Sequence, residues 1–221
     1  MRHFATESGK SKGQFYTPAE VSRIMAQVIG LGQARESTQS IYDPTCGSGS
    51  LLLKAHDEAK TRTGLDLAIY GQEMDHAPSA LARMNLVLHD VTDPHLLQGD
   101  SLSKREGKAR LNELLEPGSY QFVLANPPFT GTGDSGDLEP DTVLFPRVGG
   151  GGKKKDDSIT NKSELLFLWL MLDLLDIGGR CAVIIPEGVL FGNTDAHVRL
   201  RRELLVEHVV EGVISLPGGA F

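Results

Sequence analysis

Ser40-Ile41-Tyr42-Asp43-Pro44-Thr45-Cys46-Gly47-Ser48-Gly49-Ser50 opens as a short apolar strand and closes as a glycine-rich turn into Leu51-Leu52-Leu53. Strand, glycine turn and helix in that order begin an open α/β sheet, whose ligands bind beyond the carboxyl ends of the strands. Asp43 falls at such an end. Gly47 and Gly49 let the backbone come close to a ligand, with Ser48 and Ser50 beside them, and the following helix presents unpaired N–H groups. A lone Gly-x-Gly is more often a mere turn. A dinucleotide fingerprint needs a third glycine where Leu52 stands.

Outward from this turn, strands and helices alternate. The pattern predicts helices over 18–30, 49–61, 77–89, 106–115, 162–176 and 195–206. Strands are predicted over 40–43, 68–73, 96–99, 120–125, 180–185 and 208–215. Such alternation implies a mostly parallel sheet with helices on both faces. Residues 1–12 read as a polar lead-in, 13–221 as one domain, and 130–161 as a flexible loop. That loop holds Gly149-Gly150-Gly151-Gly152 and Lys153-Lys154-Lys155. A structureless loop of this length is uncommon unless functional or disordered. It is either a solvated linker or a basic flap.

Three strand ends carry chemistry. Glu73 closes Ala68-Ile69-Tyr70-Gly71-Gln72-Glu73, where an acid can take both ribose hydroxyls of a nucleoside. Asp100 follows Leu96-Leu97-Gln98-Gly99 and can accept from an adenine amino group. Singly, each is an ordinary strand-end or capping acid. In order with the glycine turn, they line one nucleoside pocket. Asn126-Pro127-Pro128-Phe129 ends the apolar run Phe122-Val123-Leu124-Ala125. Its prolines fix the backbone and remove two N–H donors. The Asn amide oxygen and the Asn and Pro carbonyls then face one pocket beside an aromatic ring. That suits a flat substrate with a weakly nucleophilic amino group, stacked on Phe129. The bland alternative is a proline turn with Phe129 in the core.

These elements resemble S-adenosylmethionine-dependent amino-methyltransferases. Gln14-Phe15-Tyr16-Thr17-Pro18, preceding the glycine turn, narrows the resemblance to gamma-type N6-adenine DNA methyltransferases. Within these the chain looks like the modification subunit of type I restriction–modification systems, from about Gly13 to Phe221. Ser163-Glu164-Leu165-Leu166-Phe167-Leu168 and Ile185-Pro186-Glu187-Gly188-Val189-Leu190-Phe191 share in it. The resemblance implies a Rossmann-like fold with S-adenosylmethionine held by Gln14, Phe15, Tyr16, Thr17, Pro18, Asp43, Gly47, Ser48, Gly49, Ser50, Glu73 and Asp100. It implies direct methyl transfer to a flipped adenine, with Asn126, Pro127, Pro128 and Phe129 as the catalytic set. Lys153, Lys154 and Lys155 are candidate DNA contacts, and the implied partners are DNA, a specificity subunit and a restriction subunit. The family's helical N-terminal domain and its last antiparallel strand are not read here. An open sheet edge, with self-association through it, is therefore expected. Two rivals stay open: methylation of a protein glutamine or of RNA, and a catalytically silent assembly module.

Composition agrees with this reading. The 221 residues suffice for one large domain, and a net charge of −7 argues against a freestanding nucleic-acid binder. A separate specificity subunit would ease that tension. Cys46 and Cys181 form no disulfide framework and suit a reducing, cytoplasmic compartment. No Cys/His spacing marks a metal site. No signal peptide is read, and the apolar run 165–175 is too short to cross a bilayer.

Overall fold

A computed structural model describes residues 17–91, 93–102, 118–129, 160 and 162–219. Five strands form one sheet: β1 (Ser40–Asp43), β2 (Ala68–Glu73), β3 (His95–Gln98), β4 (Tyr120–Ala125) and β5 (Leu175–Val183). Their order is β3-β2-β1-β4-β5, and every pairing is parallel. The chain thus winds outward from β1 in both directions. The point of reversal lies between β1 and β4, whose carboxyl ends carry the glycine turn and the Asn-Pro-Pro-Phe turn. The expected α/β class with its mostly parallel sheet is borne out.

Alternation along the strands divides the core into two. Ile41, Ile69, Leu96, Phe122 and Leu124 face a cluster with Val21, Met25, Leu52 and Leu86. Those last residues come from α1 (Ala19–Val28), α2 (Ser50–Thr63) and α3 (His76–Leu88). On the other face Tyr42, Val123 and Ala125 pack with Leu165, Phe167, Met171 and Leu200. These lie on α4 (Ser163–Leu174) and, after the short helix α5 (Glu187–Phe191), on α6 (Asp195–Val206). The helix α4 is buried nearly all round, as expected of an interior helix apolar on every side. No described helix is long and apolar enough to cross a membrane.

Tyr42 and Tyr120 stack with ring centroids 4.6 Å apart. Tyr70 meets Tyr120 edge-on at 5.3 Å and stacks on His95 at 4.8 Å. An aromatic row therefore crosses four strands and ties β3 to β4.

The sequence reading departs from the structure in three places. The expected strand 208–215 is not a strand. It finds no ladder partner among the described residues, and Val209, Val213 and Ile214 stay exposed. An ion pair of Glu211 with Arg180 and the packing of the adjoining Leu216 tie it to the sheet. The expected strand 180–185 begins earlier, at Leu175. Tyr120 pairs with Leu175 and Phe122 with Arg180, so residues 176–179 bulge from the ladder. Gly178, at φ 79°, makes the bulge possible. The helix α5 was not anticipated. The expected helix 106–115 and nearly all of the 130–161 loop lie outside the described residues.

Candidate active site

The glycine turn is built by its own side chains. Asp43 Oδ1 accepts the Thr45 backbone N–H at 2.9 Å and the Thr45 hydroxyl at 3.4 Å. Such an Asx turn lets the chain reverse straight off the strand. The Cys46 N–H donates to the Gln72 carbonyl at 2.9 Å, which pins the turn to β2. Gly47 and Gly49 have φ of 53° and 77°, the left-handed region open to glycine. A Cβ on Gly49 would stand 3.2 Å from the Ala82 Cβ, whereas one on Gly47 would meet nothing within 4 Å. The turn is therefore packed behind against α3 and open in front. From α3, Asn85 donates to the Ser48 carbonyl at 2.9 Å.

Glu73 joins this turn to the next. One carboxylate oxygen accepts the Gly47 N–H and the other the Asp75 N–H, each at 2.9 Å. The third turn is fastened in the same way. The Gly99 N–H donates to the Glu73 carbonyl at 2.9 Å, and Gln72 Nε2 to the Gly99 carbonyl at 3.2 Å. Asp100 Oδ1 accepts the Leu102 N–H, while the buried Ser101 hydroxyl donates to the Pro44 carbonyl. Asp43, Glu73 and Asp100 thus end three neighbouring strands whose turns are hydrogen-bonded to one another. Burial pushes the Asp43 carboxyl up to about 7; the Thr45 hydrogen bonds oppose the rise and the nearby Glu73 charge adds to it. Burial likewise raises the Cys46 thiol, so it is a packing residue rather than a nucleophile.

One strand over, β4 runs into Asn126. Its Nδ2 donates to the Thr17 hydroxyl at 2.9 Å. Its Oδ1 is buried and accepts nothing among the described residues. Pro127 is buried, and the Ser163 hydroxyl at the start of α4 donates to the Pro128 carbonyl at 3.4 Å. Phe129 is half-buried against the α1–α3 side of the core. Part of the ring therefore serves the packing that the bland reading expected.

The structure brings the anticipated residues into two adjoining groups. Asp43, Gly47, Ser48, Gly49, Ser50, Glu73 and Asp100 cluster at the ends of β1, β2 and β3. Thr17, Pro18 and Asn126 to Phe129 gather at the end of β4. Gln14, Phe15, Tyr16 and Lys153 to Lys155 lie outside the described residues. Sequence reasoning missed Gln72, Asn85 and Ser101, which hold the turns in place. Only Gln72 left a signal, a polar residue inside an otherwise apolar strand. A hollow of about 250 Å³ beside Gly30, Gln39, Gln121 and Gly179 opens at the opposite end of the sheet and takes no part in this arrangement.

Chemically, the two groups set the Glu73 and Asp100 carboxylates and the open face at Gly47 one strand over from a buried amide oxygen that accepts nothing among the described residues. Comparison with known proteins identifies the family. The family model for N-6 DNA Methylase matches residues 1–221. The type I restriction enzyme MpnII methylase subunit of Mycoplasma pneumoniae is 30% identical over 99% of this chain and 39% of its own length. The EcoEI methylase subunit of Escherichia coli is 31% identical over 97% of this chain and 41% of its own. The crystal structure of a type I restriction-modification system methyltransferase subunit from Streptococcus thermophilus superposes with a TM-score of 0.70. It is 33% identical and covers 91% of this chain and 40% of that one. The chain thus spans about two fifths of the length of the curated relatives it matches.

Proposed function

The chain belongs to the N-6 DNA methylase family, and from that premise we propose that it transfers a methyl group from S-adenosylmethionine to the 6-amino group of adenine in DNA. It would act as the catalytic part of a type I modification enzyme, beside a specificity subunit and a restriction subunit. The observation that carries the reading is Oδ1 of Asn126 in the turn after β4, which is buried and has no hydrogen-bond partner among the described residues. A buried acceptor left open costs about 1–3 kcal/mol, a cost that a substrate donor removes.

The residues present fit the cofactor. The open face at Gly47 admits a ligand against the backbone. Glu73 uses one lone pair of each oxygen on the two N–H groups, and an ionised carboxylate has about four acceptor positions. Two remain for a ribose diol. The Asp100 carboxylate stands at the next strand end for an adenine amino group. The cofactor, when bound, supplies a methyl group already made electrophilic by its sulfonium.

The chain's own task is to prepare the amino nitrogen. That nitrogen is conjugated with the base and weakly nucleophilic. Asn126 Oδ1 and the Pro127 carbonyl accept hydrogen bonds from its two N–H groups, drawing it toward tetrahedral geometry and restoring its lone pair, and one of those two protons is lost to water once the nitrogen carries the methyl group. The same oxygens stabilise the positive charge that develops on nitrogen, an oxyanion hole with the sign reversed. Phe129 would stack on the base, which must leave the duplex stack to arrive there. The prolines hold both acceptors without a competing N–H. With a net charge of −7 the chain is poorly suited to gripping phosphates unaided, so target recognition falls to the specificity partner, with Lys153 to Lys155 as candidate local contacts.

Methylation of DNA by the assembled enzyme, followed by nucleoside mass analysis, tests the proposal. N6-methyladenine should form with wild type and vanish with Asn126→Ala, while cofactor affinity stays nearly unchanged. Substantial adenine methylation by the Ala variant would remove Asn126 from the catalytic role. Methylation of another base, or none, would refute the function.

A further inference from the structure

We propose that Thr17 is a positioning residue for the transfer: its hydroxyl holds the Asn126 amide so that Oδ1, and not Nδ2, meets the amino group. The inference rests on the function proposed above. An asparagine amide carries an acceptor and a donor at the two ends of one planar group. The terminal torsion is broad and roughly two-fold, so the ends exchange by a half-turn. A substrate amino group can be received by only one of them. With Nδ2 facing it, donor would meet donor and the nitrogen's lone pair would be drawn into the wrong bond.

Something must therefore occupy the nitrogen end. Thr17 Oγ1 stands 2.9 Å from Asn126 Nδ2 and accepts from it, while Oδ1 is left buried and open. The Thr17 side chain is itself well fixed. Thr17 is only 7% exposed, and its branched side chain has few rotamers. Pro18 caps α1, its carbonyl receiving the Ser22 N–H at 3.0 Å. Val21, Met25 and Ile29 of that helix pack in the same cluster as Phe122 and Leu124 of β4, the strand that ends in Asn126. Donor and acceptor thus ride on one packed unit, though 109 residues separate them in sequence.

The test compares Thr17→Val, which keeps the shape and removes the hydroxyl, with Thr17→Ser, which keeps the hydroxyl. Methyl transfer is measured in the assembled enzyme at saturating S-adenosylmethionine. Thr17→Val should lower kcat by roughly 10–100-fold, the scale of a misplaced reacting group. Thr17→Ser should stay within about threefold of wild type, a small change on the same free-energy reading. The decisive comparison uses an Asn126→Asp background. A carboxylate has oxygen at both ends and needs no orienting, so there Thr17→Val should cost at most about threefold. Equal losses in both backgrounds would mean a structural role and overturn the inference. So would a wild-type kcat in Thr17→Val.

A second readout does not need activity. In the ¹⁵N-labelled chain, the Asn126 side-chain amide is identified by its loss in Asn126→Asp. Its protons should exchange about tenfold faster in Thr17→Val than in wild type, the size of one lost hydrogen bond. Unchanged exchange would overturn the inference even with the function intact. A wild type that makes no N6-methyladenine would remove the function, and the role of Thr17 with it.

Discussion

Replacing Glu73 by alanine should damage the fold as well as cofactor binding, and the two effects can be separated. In the structure the carboxylate receives the Gly47 and Asp75 N–H groups, each at 2.9 Å. A hydrogen bond to a charged group contributes about 1.5–3 kcal/mol. Glu73 is only partly buried, and water will replace part of what is lost, so the pair together comes to roughly 2–4 kcal/mol. For a domain of this size 1 kcal/mol moves Tm by about 2–4 °C, which gives a fall of roughly 5–15 °C. Glu73→Gln should fall by about half as much, because its amide accepts at one end and opposes an N–H at the other. Differential scanning fluorimetry of the cofactor-free chain reads this loss, and calorimetric titration with S-adenosylmethionine reads the remaining effect on affinity. A Glu73→Ala melting point within about 2 °C of wild type would refute the turn-holding role, since that corresponds to 1 kcal/mol or less. Unchanged cofactor affinity would refute the ribose role.

Three further outcomes are expected. The Asp43 carboxyl titrates near 7 in the folded chain against 3.8 ordinarily. The folded state then holds a proton that the unfolded state has lost, so stability falls as pH rises from about 4 to about 7 and levels off above. Urea melts across that range should show this slope in wild type and a shallower one in Asp43→Asn, which keeps the acceptor for Thr45; parallel slopes would exclude Asp43 as its source. Gly49→Ala should cost about 1–3 kcal/mol, because φ 77° is strained for alanine and the new methyl meets Ala82 at 3.2 Å; an unchanged urea midpoint would show that the turn relaxes freely. The outer edge of β5 has no strand partner among the described residues, and Val209, Val213 and Ile214 are exposed nearby, so the chain should self-associate; a clean monomer in light scattering at high micromolar concentration would count against it.

The strands β1, β2 and β4 are legible to the residue because each is an apolar run stopped by a residue with a reason to stop it. Asp43-Pro44, Glu73 and Asn126-Pro127 are such stops. The helix over 195–206 is equally plain, because Thr194 and Asp195 start it and one face is apolar. The failures have a different physics. Residues 208–215 have strand composition, but β propensity describes fitness for a pleated, half-buried surface, not a preference of the isolated backbone. They pair with no strand among the described residues, although the outer edge of β5 lies nearby, and Glu211 reaches Arg180 with its side chain instead. The α5 helix has five residues, fewer than two turns, so no period can be read from it.

The site divides along the same line between what is local and what is not. A parallel sheet collects the carboxyl ends of its strands on one edge, so acids at strand ends are predictably neighbours. How their lone pairs are used depends on the turns, which the sequence does not display. Read alone, Glu73 is a ligand residue; in the fold its two oxygens hold the Gly47 and Asp75 backbone N–H groups. These uses are compatible, because the N–H groups that fix the carboxylate also aim its remaining lone pairs. The Asn126 turn follows the same logic with the roles exchanged. Thr17 takes up the nitrogen end and leaves the oxygen without a partner among the described residues. In both turns, on the function proposed above, contacts that stabilise the fold also set the direction of a group that receives a ligand. Glu73→Ala and Thr17→Val should therefore differ in kind. The first removes two bonds from the folded state and should appear in the melting point. The second removes one bond at the end of a turn that prolines already fix, and should appear mainly in kcat.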